Sequence, residues 1–288
     1  METADAVGIF VKSNQPRALS LAADVMEWLD RRGVHGMLGI EESKALGRGD
    51  GVPSETLADK SDLILVLGGD GTLIHAAGLL KDRDVPILGV NLGGLGFLTV
   101  LSIAELEPTL DEALKGNLAV EERIRLDAEL WRDGKIELKG LALNDAVINK
   151  GALARIVGLE TWVDGERIAV FRADGIIFAT PTGSTAYNLA AGGPIIDPRL
   201  PAIVLTPICP HSLTARPLVL PEKSVVEVFM PNDAAEEIFL TLDGQRGIAL
   251  KAGDRIKVER SARPVLLVRS PKRSAYEILR TKLHWGER

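Results

Sequence analysis

The stretch Ser61–Thr72, SDLILVLGGDGT, bears most directly on the fold. Asp62 to Leu67 reads as a strand, and its unbroken apolar run from Leu63 is what a strand covered on both faces requires. The run stops at Gly68, Gly69, Asp70, Gly71 and Thr72. Glycine lets backbone approach a ligand with no Cβ in the way, so N–H groups at Gly68, Gly69 and Gly71 suit polyphosphate, with Thr72 beside them. Asp70 is then held where a metal or a hydroxyl can meet it. Taken alone, the same residues read equally well as a strand followed by an Asp-Gly turn.

Outward from this point the chain alternates. Residues 6–12 form a strand candidate, and Pro16 to Arg32 places Leu19, Ala22, Ala23, Met26 and Leu29 at helical spacing. Leu73 to Leu80 can continue as a helix. Val85 to Val90 is a further strand, ending at Gly89 and the glycines Gly93, Gly94 and Gly96. Ile103 to Leu114 is the last clear helix of this half, with Ser102 and Glu105 spaced as a capping box. Strand-helix alternation of this kind predicts an α/β, doubly wound parallel sheet.

After Arg123 the texture changes to short β-type runs around Asp133-Gly134, Asp164-Gly165 and Asp243-Gly244, the pattern of hairpins. The expected organisation is an α/β nucleotide-binding domain over 1–123 and a β-rich second domain over 124–269. The tail 270–288, helix-compatible or extended from Ser274 to Trp285, can pack back on the first.

Bulk properties fit two ordinary domains in 288 residues, with 46% hydrophobic and 26% charged residues. A net charge of −6 argues against a nucleic-acid surface, while leaving room for a polyanionic small molecule bound by local donors and Mg²⁺. Cys209 is the only cysteine, so no intrachain disulfide forms and a reducing compartment is expected. Between Pro207 and Pro210 it reads as a small buried residue rather than a nucleophile. METADAVGIF lacks the basic start of a signal peptide, and no run approaches the ~20 apolar residues of a membrane helix. A soluble cytoplasmic protein is expected.

Phe171–Ile195, FRADGIIFATPTGSTAYNLAAGGPI, is the second stretch with chemistry in it. A strand from Gly175 to Ala179 follows Asp174, and a helix is expected to begin near Ala186. Between them Thr180, Thr182, Ser184 and Thr185 offer hydroxyls and backbone N–H groups to an anion or polar ligand, and Tyr187 offers an aromatic face. An N-capped helix behind a Ser/Thr-rich turn is the structural alternative. In Leu141–Lys150, LALNDAVINK, Asn144 and Asp145 interrupt an apolar strand; being adjacent they face opposite sides, toward a cleft or at a bulge or edge.

Several familiar sites are absent from the sequence. There is no GxxxxGK[ST] loop, no GxSxG elbow, and no metal-ligand spacing among His35, His75, His211 and His284. Any divalent metal would be held by carboxylates and phosphates. Gly94-Leu-Gly96-Phe-Leu-Thr99 nearly matches the dinucleotide fingerprint, but Thr99 stands where the third glycine belongs and the strand is the third, not the first.

Taken together, GGDGT at 68–72, Asn144-Asp145, DGIIFATPTGSTAYNLAAGGPI at 174–195, PHSLTARPLV at 210–219, LDGQ at 242–245 and RTKLHWG at 280–286 closely resemble the NAD kinases. GGDG alone is shared with phosphofructokinases and with diacylglycerol and sphingosine kinases; the TPTGSTAYN motif narrows the choice. The resemblance implies a two-domain NAD kinase-like architecture and transfer of the γ-phosphoryl group of ATP to the 2′-hydroxyl of the adenosine ribose of NAD, giving NADP. It makes Asp70 the candidate general base, with Gly71 and Thr72 helping to hold phosphates.

The same resemblance implies NAD contacts by Asp70, Gly71, Phe97, Asn144, Asp145, Arg172, Asp174, Thr182, Thr185, Ala186, Tyr187 and Gln245, with Phe97 against the adenine. It also implies Mg²⁺ as cofactor, ATP and NAD as substrates, and a homodimer or homotetramer. The family commonly has Asn-Glu where this chain has Asn144-Asp145, so the ribose contact of Asp145 is direct, water-bridged or absent. Asp243-Gly244 is equally a hairpin turn, and Arg216 is structural or meets a phosphate. A lipid kinase gives no reason for the TPTGSTAY loop, and a non-catalytic NADP(H) sensor gives none for retaining Asp70.

Overall fold

The computed structural model describes residues 4–12, 15–117, 119–151, 156–231, 237–270 and 272–286. The chain forms two compact units, Met1–Glu122 with Val265–Arg288, and Arg123–Pro264.

The first unit is built on strands β1 (Ala6–Val11), β2 (His35–Leu38), β3 (Leu63–Gly68), β4 (Ile87–Asn91) and β5 (Val120–Arg123). They lie in the order β2-β1-β3-β4, then Val265–Val268 returning from the far end of the sequence, then β5. The pairs β1–β2, β1–β3 and β3–β4 are parallel. Every residue of β3 is buried. Helices α1 (Pro16–Asp30), α2 (Ile40–Ala45), α3 (Ser54–Lys60), α4 (Asp70–Leu79) and α5 (Leu106–Leu114) complete it. The apolar face of α1, including Ala22, Met26 and Leu29, packs with Leu63, Leu65 and Leu67 in the main core. Burial of such side chains at roughly 25 cal/mol per Å² is what holds a parallel sheet closed.

The doubly wound reading of this half therefore holds, with three refinements. Short elements β2, α2 and α3 were not visible as periodic patterns. Helix α4 begins at Asp70 itself, which puts that carboxylate in the first turn, where the helix dipole favours negative charge. The Ser102–Glu105 capping box forms, opening a short 3-10 turn ahead of α5.

The second unit stacks two six-stranded sheets. One contains β6 (Leu126–Arg132), β7 (Lys135–Ala142), β9 (Val157–Val163), β10 (Glu166–Ala173), β14 (Val226–Phe229) and β17 (Arg255–Arg260); the other contains β8 (Asp145–Lys150), β11 (Gly175–Ala179), β12 (Ala202–Ile208), β13 (Leu218–Pro221), β15 (Ile238–Leu242) and β16 (Arg246–Leu250). Their orders are β10-β9-β14-β17-β6-β7 and β13-β12-β11-β8-β15-β16. Alternate residues of both sheets, such as Leu130, Ile148, Phe178, Leu205, Val228 and Val258, meet in one core. All three Asp-Gly pairs are hairpin turns with positive φ at both positions: 50° and 74° at 133–134, 51° and 81° at 164–165, and 52° and 64° at 243–244. These are the values a type I′ turn needs.

The last strand, β18 (Val265–Val268), pairs in parallel with β4, so these residues belong to the first unit's sheet rather than to the β-rich domain where the sequence reading ended them. Helix α7 (Ala275–Leu283) follows, with Ser274 accepting the Glu277 amide as its cap. Arg273 ties this segment to the first unit by donating to the Val100 carbonyl at 2.7 Å and to Glu105 Oε2 at 2.8 Å. Among the described residues no helix is long and apolar enough to cross a membrane.

Candidate functional site

In the first unit the GGDGT loop carries β3 into α4. A Cβ on Gly68 would stand 2.7 Å from Thr72 Oγ1 and 3.2 Å from Lys12 Cβ, so packing alone demands glycine there. At Gly69 and Gly71 a Cβ would meet nothing within 4 Å. Packing therefore does not account for those two glycines, and φ is not positive at either.

Asp70 is held by four donors. Phe97 N–H gives Oδ2 a bond of 2.8 Å, while Oδ1 accepts Leu98 N–H at 3.1 Å, Thr99 N–H at 2.9 Å and Thr99 Oγ1–H at 2.9 Å. Asn91 Nδ2 donates to Thr99 Oγ1 at 2.9 Å, fixing that hydroxyl in turn. A Cβ at Gly96 would collide with Asp70 Oδ1 and Thr99 Oγ1. The incomplete dinucleotide fingerprint is thus explained: Gly96 clears space for a carboxylate, and Thr99 is the residue that binds it. In sequence alone Thr99 reads only as a missing glycine. Phe97 is half-buried, and Lys282 Nζ of α7 lies 5.7 Å from its ring centroid.

Beside Gly71 and Thr72 opens a cavity of about 270 Å³. It sits at the carboxyl ends of β1 and β3, the adjacent pair at which the strand order reverses direction, the usual crevice for ligands in open α/β sheets. Phe10, Glu42, Ser54 and His75 line it, and none of the four was singled out from the sequence as a site residue. The signal was diffuse, because the four lie on β1, α2, α3 and α4 and converge only in the fold.

In the second unit the expected interrupted strand at 141–150 is two strands. β7 ends at Ala142, and β8 starts at Asp145. The corner between them is held by Asp243, whose carboxylate accepts the amides of Leu143 at 2.8 Å, Asn144 at 2.7 Å and Asp145 at 3.1 Å. Asp243 therefore braces the Asn144-Asp145 corner from its hairpin turn. Gln245, three residues into that hairpin, is exposed.

The TPTGSTAYN segment separates into inward and outward residues. Thr180 Oγ1 donates to the Leu143 carbonyl at 2.6 Å, Ser184 Oγ to Pro181 at 2.6 Å, and Asn188 Nδ2 to Ser184 and Pro194 at 3.1 and 3.0 Å. Gly183 cannot carry a side chain, because its Cβ would collide with the Asn144 carbonyl. So Thr180 and Ser184, expected to present hydroxyls to a ligand, spend them on the fold. Thr185, Ala186 and Tyr187 are half-buried or exposed; Thr182 is buried, with Arg123 donating to its hydroxyl at 3.4 Å. The helix expected from Ala186 is only the short α6 (Tyr187–Ala190).

Asp145 pairs with Ala179 at the end of β11 and is buried. Burial, and then the neighbouring charge of Asp243, pushes its carboxyl up to about 7. Burial pushes Asp243 up too, opposed by the three amides that donate to it. Burial, with smaller contributions from Cys209, Asp145 and Asp174, also raises the Tyr187 phenol, which places these groups in one neighbourhood. Lys150 Nζ lies 3.6 Å from Asp174 Oδ1. Arg172 is exposed on β10. Cys209 is exposed with φ of 44°, not buried as its flanking prolines suggested: it stands just past the end of β12, where the chain turns away. Arg216 donates to the carbonyls of Leu213 and Ala215, a local structural use.

Among the described residues no three His, Cys, Asp or Glu side chains converge to hold a metal.

Comparison with known proteins decides the family. Residues 51–118 match the ATP-NAD kinase N-terminal domain and residues 143–270 the ATP-NAD kinase C-terminal domain. The chain is 48% identical over 283 residues to an NAD kinase of Geotalea daltonii, covering 98% of this chain and 99% of that one. This chain belongs to the NAD kinase family.

An NAD kinase of Geobacter sulfurreducens is likewise 48% identical over 282 residues, with 98% and 99% coverage. Among solved structures, yeast NADH kinase complexed with NADH superposes with a TM-score of 0.93 at 27% identity, covering 100% of this chain and 90% of that one. An NAD kinase from Archaeoglobus fulgidus in complex with ATP gives 0.76 at 27% identity, with 99% of both chains covered.

Proposed function

We propose that this NAD kinase family member transfers the γ-phosphoryl group of ATP to the 2′-hydroxyl of the adenosine ribose of NAD, with Asp70 at the reacting hydroxyl. The observation that carries the reading is the fixed carboxylate of Asp70 at the mouth of a glycine loop whose Gly69 and Gly71 have no packing reason to be glycine.

Oδ1 of Asp70 accepts three hydrogen bonds and Oδ2 only one. Oδ2 therefore keeps a free lone pair, and it is the atom we assign to the 2′-hydroxyl proton. Such phosphoryl transfer depends mainly on positioning and charge stabilisation. A positioned base adds roughly 10²- to 10⁴-fold. The backbone at Gly68, Gly69, Gly71 and Thr72 holds the donor phosphates. Mg²⁺, bound through phosphate oxygens near Asp70, would neutralise charge developing on the transferred group.

NAD recognition falls to the residues that the family resemblance implies: Phe97, Asn144, Asp145, Arg172, Asp174, Thr182, Thr185, Ala186, Tyr187 and Gln245. The outward placement of Thr185, Ala186 and Tyr187 supports this, and so does the shared neighbourhood of Tyr187, Asp145 and Asp174. Protonated near neutrality, Asp145 can donate as well as accept toward a ribose or amide. Exposed Leu218 and Val219 on edge strand β13, with exposed Leu213 ahead of it in the chain, support a homodimer or homotetramer, and the single cysteine supports a cytoplasmic setting. The test is direct: purified protein with ATP, Mg²⁺ and NAD should form NADP, read by an NADP-specific dehydrogenase. Folded protein that forms none would overturn the proposal.

A further inference from the structure

The cavity beside Gly71 and Thr72 is sized for a nucleoside and too small for a dinucleotide: about 270 Å³ against roughly 300–1,000 Å³ for small-molecule sites in general. One side is apolar, with Phe10 on β1 and Leu57 on α3. Phe10 meets the His75 ring edge-on, centroids 6.4 Å apart at 75°. His75 lies one helical turn after Gly71 on α4, so it shares a face with the phosphate loop. On the other side stands Glu42, just past the end of β2, with its carboxylate folded against Gly39. A side chain at position 39 would strike that carboxylate.

Among the described residues Glu42 has no side-chain hydrogen bond or ion pair, and it is only half-buried, so its oxygens remain available inside a cavity. An acidic side chain after β2, across β1 from the phosphate-binding turn after β3 and lining the same cavity as that turn, is placed to accept two vicinal hydroxyls of a ribose. An inorganic polyphosphate offers that carboxylate no donor and only like charge.

We propose that this cavity receives the nucleoside of the phosphoryl donor, with Glu42 accepting its ribose hydroxyls, and that Glu42 thereby sets the preference for a nucleoside triphosphate over inorganic polyphosphate. The proposal rests on the phosphoryl-transfer reading above and adds to it the residue that selects the donor. The apolar wall at Phe10 and Leu57 takes the base, and the phosphates run toward Gly71 and Thr72.

The test compares wild type with Glu42→Gln, which keeps the shape and removes the charge, using ATP and linear tripolyphosphate as alternative donors. The KM for ATP should rise about tenfold or more, the KM for NAD should hold within about twofold, and the preference for ATP over tripolyphosphate should fall by a similar factor to the ATP effect. An unchanged KM for ATP in folded Glu42→Gln would overturn the proposal, as would a parallel rise in the KM for NAD, which would assign the cavity to the acceptor. Calorimetric titration of ATP into both proteins separates this from the underlying reading. If wild type forms no NADP but binds ATP, and Glu42→Gln weakens that binding, the phosphoryl-transfer reading fails and the nucleoside site stands.

Discussion

Asp70 Oδ1 accepts both the backbone amide and the hydroxyl of Thr99, each at 2.9 Å. The side chain assigned to the reacting hydroxyl is therefore immobilised from outside its own loop, and the clearance for it comes from Gly96. Gly96→Ala is expected to displace the carboxylate and lower kcat by about 10²-fold, with the KM for ATP little changed. Steady-state kinetics on protein of native circular dichroism checks this; near-normal kcat would show that the position of Asp70 does not matter.

Gly71→Ala separates a ligand role from a structural one. A Cβ there meets nothing, and alanine is favoured over glycine in a helix by roughly 0.5–1 kcal/mol. The variant should melt at the same temperature or slightly higher, yet show a KM for ATP raised about tenfold. Unchanged kinetics would remove Gly71 from the phosphate site.

Asp243→Ala leaves three amides, at Leu143, Asn144 and Asp145, without their acceptor. Orphaned donors of this kind should lower stability by roughly 2–4 kcal/mol in urea unfolding. A loss of NAD affinity with no loss of stability would instead point to a direct ligand contact.

The Asp145 carboxyl gives a pH signature. Its pKa rises from 3.8 in the unfolded chain to about 7 in the folded state, so the folded state holds the proton more tightly. The stabilisation this brings is complete below the unfolded value and is lost as pH rises through the folded one. Asp145→Asn should therefore flatten the fall in Tm between roughly pH 4 and 7. A Tm profile parallel to wild type would contradict the raised value.

Leu213 is 88% exposed and lies shortly before, in sequence, the exposed Leu218 and Val219 of edge strand β13. If this patch joins copies of the chain, Leu213→Asp should lower the mass seen by sedimentation without lowering the melting temperature of the remaining species. An unchanged mass would place the contact elsewhere.

Much of this architecture is legible in the sequence because period and turn chemistry are local. Leu63–Leu67 announces a buried strand, and three Asp-Gly pairs announce three I′ hairpins. What escaped depends on partners far apart in the chain. Asp243 binds amides about a hundred residues away, and Thr99 binds a carboxylate 29 residues earlier, so neither role has a local pattern. The hydroxyls of TPTGSTAYN look equivalent in sequence, yet Thr180 and Ser184 are turned inward by the bonds that shape the loop. Glu42 and His75 line one cavity only because α2 and α4 flank the same crevice.

The most direct measurement is NADP formation from ATP, Mg²⁺ and NAD by wild type and by Asp70→Asn, side by side, with matched circular dichroism and melting. Wild type should turn over, and Asp70→Asn should lose about 10²-fold or more in kcat while keeping its fold. Turnover by folded Asp70→Asn equal to wild type would contradict the assignment of Asp70 to the 2′-hydroxyl.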